Sequence, residues 1–386
     1  MNSFEEKSKY IMNTYNRFPI ILEKGDGMYV YDENGKKYID FAAGIAVNSL
    51  GYNNKKLTDA IKNQSEKLLH CSNLYWTKPQ LELSEKLVKL GDFDKVFFCN
   101  SGAEAIESAL KICRKYGSES ERYEIITMKH SFHGRTFGAV TATGQPHYQE
   151  GLGELLPNIK YAEFNNFESV KNLVNEKTCG IIIEPIQGEG GIIPAKKEFL
   201  QNLRELCDKN DIMLIFDEVQ CGVGRLGTFF AYQRFGVVPD AAAMAKGIAG
   251  GVPMGVFIAK EKLAKSFKPG DHASTFGGNP LAAAAANAVV DELKNGLIDN
   301  AYNVGEYLGN ALKSLKSKFS SIIDVRGVGL MYGIELDKPA APIIARAIEN
   351  GLLLVGAGKN VIRFVPPLIV SENDVDIAIS ILENSL

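Results

Sequence analysis

Short apolar runs that end in polar or glycine-rich turns recur through the middle of the chain: Lys95–Cys99, Glu124–Met128, Gly180–Ile183, Ile212–Phe216 and Val256–Ala259. Runs of this length predict buried strands. Between several of them, Gln80–Leu90, Ala103–Tyr116 and Lys197–Asn210 carry apolar residues at helical spacing. Alternation of this kind predicts an α/β fold, with a mostly parallel central sheet covered by helices on both faces. Ligands of such sheets collect beyond the carboxyl ends of the strands, so the chemical residues are sought there.

The two ends of the chain read differently. Gly27–Tyr31 and Lys37–Phe41 flank Asp32-Glu33-Asn34-Gly35, a turn signal that predicts a hairpin. Pro280 opens an alanine-rich stretch, Leu281–Val290, that reads as a helix start. Beyond it the pattern predicts a helix over Val304–Phe319, a strand over Met331–Leu336, a helix over Ala341–Asn350 and a strand over Val361–Val365. The expected organisation is a large domain over residues 51–285 and a smaller α+β domain made of residues 1–50 with 286–386.

Composition adds mainly exclusions. Of 386 residues, 45% are apolar and 23% charged, and the net charge of −3 gives no general footprint for nucleic acid or a membrane surface. The six cysteines are scattered without CxxC pairs, so neither a zinc site nor any other metal centre is expected, and a reduced, cytoplasmic setting is the simpler reading. Met1–Tyr10 mixes acidic and basic residues and lacks the apolar core of a secretion signal. No apolar run reaches the roughly 18 residues of a membrane span.

Candidate chemistry begins after Lys95–Cys99. Ser101 and Glu104 have capping-box spacing, which leaves the amides of Gly102 and Ala103 free at a helix N-terminus, where a phosphate is favoured. Alone this is a well-capped helix; glycine at 102 also lets a ligand approach the backbone. The strand over Ile212–Phe216 delivers Asp217, Glu218 and Gln220 toward the ligand face. Lys246 stands in Ala-Ala-Ala-Met-Ala-Lys-Gly, among small apolar neighbours that strip its hydration, lower its pKa and free the amine as a nucleophile. In isolation it is equally a snorkelling lysine at a strand end. Phosphate cradle, strand-end acid, embedded lysine and the glycine-rich turn Gly247–Gly251, in that order, form the set that a pyridoxal 5'-phosphate site needs.

Here the sequence resembles a family. Asn100-Ser-Gly-Ala-Glu-Ala105, Ser131-Phe-His-Gly-Arg-Thr136, Glu184-Pro-Ile-Gln-Gly-Glu189, Asp217-Glu-Val-Gln220, Lys246 and Ser274-Thr-Phe-Gly-Gly-Asn-Pro280 resemble class III aminotransferases over nearly the whole chain. That resemblance implies the fold-type I architecture of pyridoxal-phosphate-dependent transferases, similar to aspartate aminotransferase. Gly44-Ile-Ala-Val-Asn48, Ser72-Asn-Leu-Tyr75 and Arg363-Phe-Val-Pro-Pro367 are most similar to acetylornithine aminotransferases. Ornithine aminotransferases place a tyrosine near Gly44, where this chain has Ile45; an apolar entrance suits an acyl group better than a second ammonium. Two positions depart from the pattern: Tyr52, where Gly-His is usual, and Ala273, where glycine is usual.

The resemblance implies roles residue by residue. Lys246 would bond the cofactor through its amine and then serve as general base and acid. Asp217 would face the ring nitrogen and keep it protonated. Gln220 would bind the phenolic oxygen, Phe132 would stack on the ring opposite Asp217 and Val219, and Ser101, Gly102 and Ala103 would hold the phosphate. Thr275 would complete the phosphate site from a neighbouring subunit, with Ser274 close to the substrate, so a homodimer with shared sites is implied. Arg135 would clamp the substrate α-carboxylate bidentately. Glu184 falls among the substrate-binding residues. Glu189 and Arg363 resemble a switch pair: Glu189 neutralises Arg363 when the acyl donor is bound and yields it to the distal carboxylate of glutamate or 2-oxoglutarate. On that reading, Glu189→Ala is expected to favour plain ornithine or other amines over glutamate. His133 is expected to pack or hydrogen-bond.

The implied reaction moves the δ-amino group of N-acetylornithine to 2-oxoglutarate, in arginine biosynthesis. Ornithine, succinylornithine, succinyl-diaminopimelate and 4-aminobutyrate remain alternative donors, and an aminomutase an alternative reaction. Two rivals come from other classes. One is a catalytically silent binding protein, against which the retained Lys246 and Asp217 argue. The other is a nicotinamide-dependent dehydrogenase, because Gly222-Val-Gly-Arg-Leu-Gly227 matches GxGxxG, although too far beyond its strand for a phosphate-binding turn.

Overall fold

Seven strands, numbered β1 to β7 in chain order, form the central sheet of the computed structural model, which describes residues 7–386. They are β1 Lys95–Cys99, β2 Glu124–Met128, β3 Ile159–Ala162, β4 Thr178–Ile183, β5 Met213–Asp217, β6 Ala241–Met244 and β7 Gly255–Ala259. Their spatial order is β1-β7-β6-β5-β4-β2-β3. β7 is antiparallel to both neighbours, and every other pair is parallel. The sheet is therefore mostly parallel, as the alternation predicts. The reversal at β7 has a local cause, since the short link from β6 to β7 has no room for a crossover helix.

Two strands escape the hydrophobic pattern. β6 is Ala-Ala-Ala-Met with all four residues buried, and β3 is the half-polar edge strand Ile-Lys-Tyr-Ala. β5 runs one residue further than expected, so Asp217 is its last residue. Helices Lys78–Leu90 and Gly102–Gly117 extend the predicted ones by one or two residues at their ends, and Lys197–Asn210 coincides with its predicted range. The alanine-rich helix is Pro280–Glu292, capped by the Asn279 side chain, which accepts from Ala282 N at 2.9 Å.

The expected hairpin, Tyr29–Asp32 with Lys37–Asp40, gains a third strand, Leu22–Asp26. Lys37–Asp40 also pairs in parallel with Leu352–Leu353, which joins the N-terminal segment to the C-terminal third of the chain. That third holds the helix Ile298–Lys318, of which the predicted helix is the later part, and a sheet of Ile322–Val328, Met331–Leu336, Val361–Phe364 and Val355–Gly356. The polar stretch Met1–Tyr10 lies partly outside the described residues. Among those described, no helix is long and apolar enough to cross a membrane.

The turns that carry the motifs all leave the carboxyl ends of parallel strands: Asn100–Ala103 after β1, Ser131–Arg135 after β2, Glu184 after β4, Asp217 at the end of β5 and Lys246 after β6. One end of the sheet thus gathers residues that are more than a hundred positions apart in sequence.

Candidate active site

Ser101 is the N-cap of helix Gly102–Gly117, its hydroxyl accepting Glu104 N at 3.2 Å. Only half of the expected capping box forms, because the Glu104 carboxylate reaches back past Ser101 to the backbone and side-chain nitrogens of Asn100. First-turn amides have no acceptor within the helix, and they carry the positive end of its dipole. Gly102 has a second reason to be glycine: a Cβ there would lie 2.8 Å from Val219 Cγ1.

Asp217 is 4% exposed. Its Oδ1 accepts Val219 N at 3.0 Å and its Oδ2 lies 2.7 Å from His133 Nδ1. Burial alone would depress the imidazole pKa, but the hydrogen bond and charge of Asp217, with the charge of Glu184, raise it above the ordinary histidine value. The imidazole therefore backs the carboxylate through this hydrogen bond. Among the described residues, the His133 Nε2 has no hydrogen-bond partner. This contact gives His133 its place in the site; the sequence offered hydrogen bonding as one of its roles but not the partner.

The carboxylate of Glu184 accepts Phe132 N at 3.0 Å and Gly188 N at 3.2 Å. It thereby ties the Phe132 turn to the turn that carries Glu189. Burial pushes its pKa well above the carboxylate range, with Asp217 adding to the rise and His133 opposing it.

Lys246 sits at φ +45°, a left-handed conformation that few side chains adopt. Burial lowers its pKa and the charge of Arg363 lowers it further, while Glu189, Asp217 and Glu184 oppose the shift. Strain of this kind persists only where the surroundings impose it, and functional sites are where it collects.

These groups surround a cavity of about 310 Å³, which Ser101–Ala103, Phe132, Glu184, Asp217, Val219, Gln220 and Lys246 all line. Val47, from the stretch Gly44–Asn48, and Val252–Met254 line it too, and the sequence did not assign them a role. First-turn amides for a phosphate, a carboxylate for a ring nitrogen, Phe132 and Val219 for ring faces and an amine for an aldehyde make a donor set that fits pyridoxal 5'-phosphate.

Arg363, on the strand Val361–Phe364, is 1% exposed and pairs with Glu189 through both terminal nitrogens, Nη2 to Oε2 at 3.4 Å. Gln220 bridges the pair: it donates to Glu189 Oε1 at 3.3 Å and accepts from Arg363 Nη1 at 2.9 Å. Burial would raise the Glu189 pKa, but Arg363 holds it below the usual value. Arg135 is exposed, its guanidinium 3.9 Å from the Tyr148 ring centre and 5.4 Å from that of Phe132. Among the described residues it has no carboxylate partner. The Ser274 hydroxyl accepts from Asn100 Nδ2 at 3.0 Å and Gly277 N at 3.1 Å. Thr275 is exposed and does not line this chain's own cavity.

Two expectations are corrected. Glu218 does not face the ligand side: it is fully buried and accepts Ala231 N at 2.6 Å and Tyr232 N at 2.8 Å. Successive strand residues point to opposite faces, so Asp217 and Glu218 part company. The same contact removes the dinucleotide reading, because the helix following Gly222–Gly227 already has a carboxylate on its first amides. The Gly222–Gly227 loop instead carries a buried Arg225, which donates to the carbonyls of Leu330, at 3.2 Å, and Pro366.

Comparison with known proteins agrees with this geometry. The profile of the Aminotransferase class-III family matches residues 10–386. The acetylornithine aminotransferase of Clostridium acetobutylicum is 52% identical over 383 residues, covering 98% of this chain and 99% of its own. That of Aquifex aeolicus is 49% identical over 381 residues, covering 98% and 100%. Among solved structures, the ornithine aminotransferase from Toxoplasma gondii superposes with a TM-score of 0.95 at 29% identity, over 99% of this chain and 94% of that one. The N-acetylornithine aminotransferase from Stenotrophomonas maltophilia gives 0.85 at 37% identity, over 98% and 97%.

Proposed function

Because the chain belongs to the class III aminotransferases, a pyridoxal-phosphate-dependent family of fold type I, we propose that it moves the δ-amino group of N-acetylornithine to 2-oxoglutarate, giving N-acetylglutamate semialdehyde and glutamate. The observation that carries this reading is the closed Glu189–Arg363 pair beside the cavity. A donor whose α-amine is acylated meets an arginine already neutralised, and a dicarboxylate acceptor can take the arginine for itself. One site then serves two substrates of different charge.

The cofactor supplies an aldehyde for the amine and an electron-withdrawing ring. Asp217, backed by His133, would face the ring nitrogen, Gln220 the phenolic oxygen, and Ser101, Gly102 and Ala103 the phosphate. Phe132 and Val219 would hold the two ring faces. The Lys246 amine, its pKa lowered by burial, takes the proton from the carbon that bears the reacting nitrogen and returns it later. Arg135 grips the substrate α-carboxylate with two parallel hydrogen bonds, which its unpaired guanidinium is free to make.

The same reading makes the enzyme a cytoplasmic homodimer of arginine biosynthesis, divided into a domain of residues 51–285 and one of 1–50 with 286–386. Leu74 and Trp76, both 83% exposed, and Phe276, 60% exposed, support a covering second copy, because isolated chains rarely leave such side chains to water. That copy would bring its Thr275 to the phosphate. The test is a set of half-reactions of the purified protein with N-acetylornithine, succinylornithine, ornithine and 4-aminobutyrate, followed by the visible absorbance of the bound cofactor. N-acetylornithine is expected to react fastest. Faster reaction with ornithine or 4-aminobutyrate, or no visible band with added cofactor, would refute the reading.

A further inference from the structure

The segment after Asp40 adopts a backbone that its residues disfavour. Ala43, Gly44, Ile45 and Ala46 have φ of 49°, 62°, 64° and 63°, a whole left-handed turn containing one glycine. Left-handed backbone crowds Cβ against the following carbonyl, and a β-branched residue suffers most. The turn's own hydrogen bonds, Val47 N and Asn48 N to Ala43 O at 2.8 and 2.9 Å, close it without favouring that hand.

A buried carboxylate supplies the missing constraint. Asp40, 1% exposed, accepts Ala42 N at 2.8 Å and Ala43 N at 2.9 Å on Oδ1, at the entry to the turn. Its Oδ2 accepts the Tyr52 hydroxyl at 2.6 Å, and that hydroxyl accepts Asn48 Nδ2 at 3.1 Å, just past the exit. Tyr52 is itself immobilised. Its backbone exchanges hydrogen bonds with Gly27 at 3.0 and 2.9 Å, and its ring lies so close that a Cβ on Gly25 would meet it at 2.4 Å.

The turn borders two cavities. Val47 lines the one that holds Lys246, while Gly44 and Ile45 line a second, of about 430 Å³, together with Phe18 and Ile348. Ser49, two residues on from Val47, packs against Gly247 with its hydroxyl 3.4 Å from that carbonyl, immediately after the lysine. Any relaxation of the turn therefore moves an apolar wall of the site.

We infer that Tyr52, acting through Asp40, is a positioning residue that clamps residues 43–46 in their left-handed turn and so sets the apolar wall at Val47, against which the uncharged acyl end of the donor lies. The last clause rests on the donor assignment above; the clamp itself does not.

Tyr52→Phe removes the hydroxyl and keeps the ring. Hydrogen exchange of the holoenzyme should quicken across residues 42–48 and nowhere else. The KM for N-acetylornithine should rise about tenfold, as for loss of one hydrogen bond to a charged group, while kcat and the KM for 2-oxoglutarate stay within about twofold. Adding Ala46→Gly should bring the donor KM back to within about threefold of the original, because glycine accepts positive φ without a clamp. If Tyr52→Phe does not fold, Asn48→Ala tests the same ring of hydrogen bonds from its other side. Unchanged exchange over 42–48 overturns the clamp, as does a raised KM that the glycine fails to reverse. A wild-type protein inert toward N-acetylornithine would instead remove the donor assignment, and the exchange measurement would still judge the clamp.

Discussion

Replacing Glu189 by glutamine neutralises the site's closest ion pair with almost no change of shape. Arg363 would keep Gln220 Oε1 at 2.9 Å, Gly356 O at 3.0 Å and the oxygen of the new amide. Breaking a buried ion pair by removing one charge costs about 3–5 kcal/mol. The remaining neutral acceptors recover part of that, leaving an unmet demand of roughly 2 kcal/mol for an anion. A substrate with a distal carboxylate supplies one, and about 2 kcal/mol corresponds to ~30-fold in affinity. The KM for 2-oxoglutarate should therefore fall about 30-fold in Glu189→Gln, and glutamate should gain by a similar factor over N-acetylornithine. For glutamine this argument points the other way from the expectation drawn from the motifs for Glu189→Ala, which favoured plain amines: an arginine this deeply buried, once unpaired, repels an ammonium and attracts a carboxylate. Stopped-flow half-reactions with glutamate, ornithine and N-acetylornithine measure the ratio directly. A preference that shifts toward ornithine, or a 2-oxoglutarate KM that fails to fall at least about threefold, would refute the argument.

Four other outcomes follow from the same contacts. Asp217→Asn should lower turnover by at least about 100-fold, and should lower the pH at which the His133 imidazole titrates in NMR, since Asp217 is what raises its pKa; an unchanged imidazole titration would contradict this. Arg135→Lys keeps the charge but loses the fork, so kcat/KM should drop about 10- to 100-fold for α-carboxylate substrates only, and an equal drop for simple amines would count against the clamp. The Glu184 carboxyl is raised in the folded protein, so its contribution to stability is present at acid pH and is lost as pH rises through the folded value; wild-type thermal stability should decline relative to Glu184→Gln from about pH 5 toward neutrality, and parallel curves would dismiss the idea. Ser101→Ala should cost about 1 kcal/mol in chemical denaturation through loss of the cap, with Ser101→Thr largely restoring it.

Much of the fold was legible because bulk advertises burial. β1 and β2, with Phe97, Phe98, Ile125 and Ile126, coincide with their predicted ranges. β6 was missed for the opposite reason. Ala241 and Ala243 pack in one cluster with Ala105 and Ala109 of the helix that follows β1, so the strand is small-residued where helix and sheet approach most closely. A pattern built on large apolar residues passes over such a strand, although alanine is what the contact requires. The fate of Glu218 was within reach of the sequence, since strand alternation alone separates it from Asp217. The left-handed turn at residues 43–46 was not, because its cause lies in Asp40 and Tyr52 acting together and neither has a local signature.

The site's electrostatics were legible as a list of residues but not as a balance. Two of its basic groups have acidic partners in the structure, Arg363 with Glu189 and His133 with Asp217. Among the described residues, Lys246 and Glu184 have no such partner within ion-pair distance, and the pKa of each moves toward the neutral form: the amine is pushed down by burial and the carboxyl pushed up. Burying a charge without a partner costs far more than shifting a pKa, so the unmatched groups are the ones that give up their charge. The consequence is chemical. The lysine that must attack a carbonyl and carry a proton is the cation left unmatched, whereas the carboxylate that faces a ring nitrogen is the one hydrogen-bonded to an imidazole. Sequence order places Asp217 and Lys246 in one site; only the structure shows that one is held by a buried hydrogen-bond partner and the other is left in an apolar pocket that lowers its pKa.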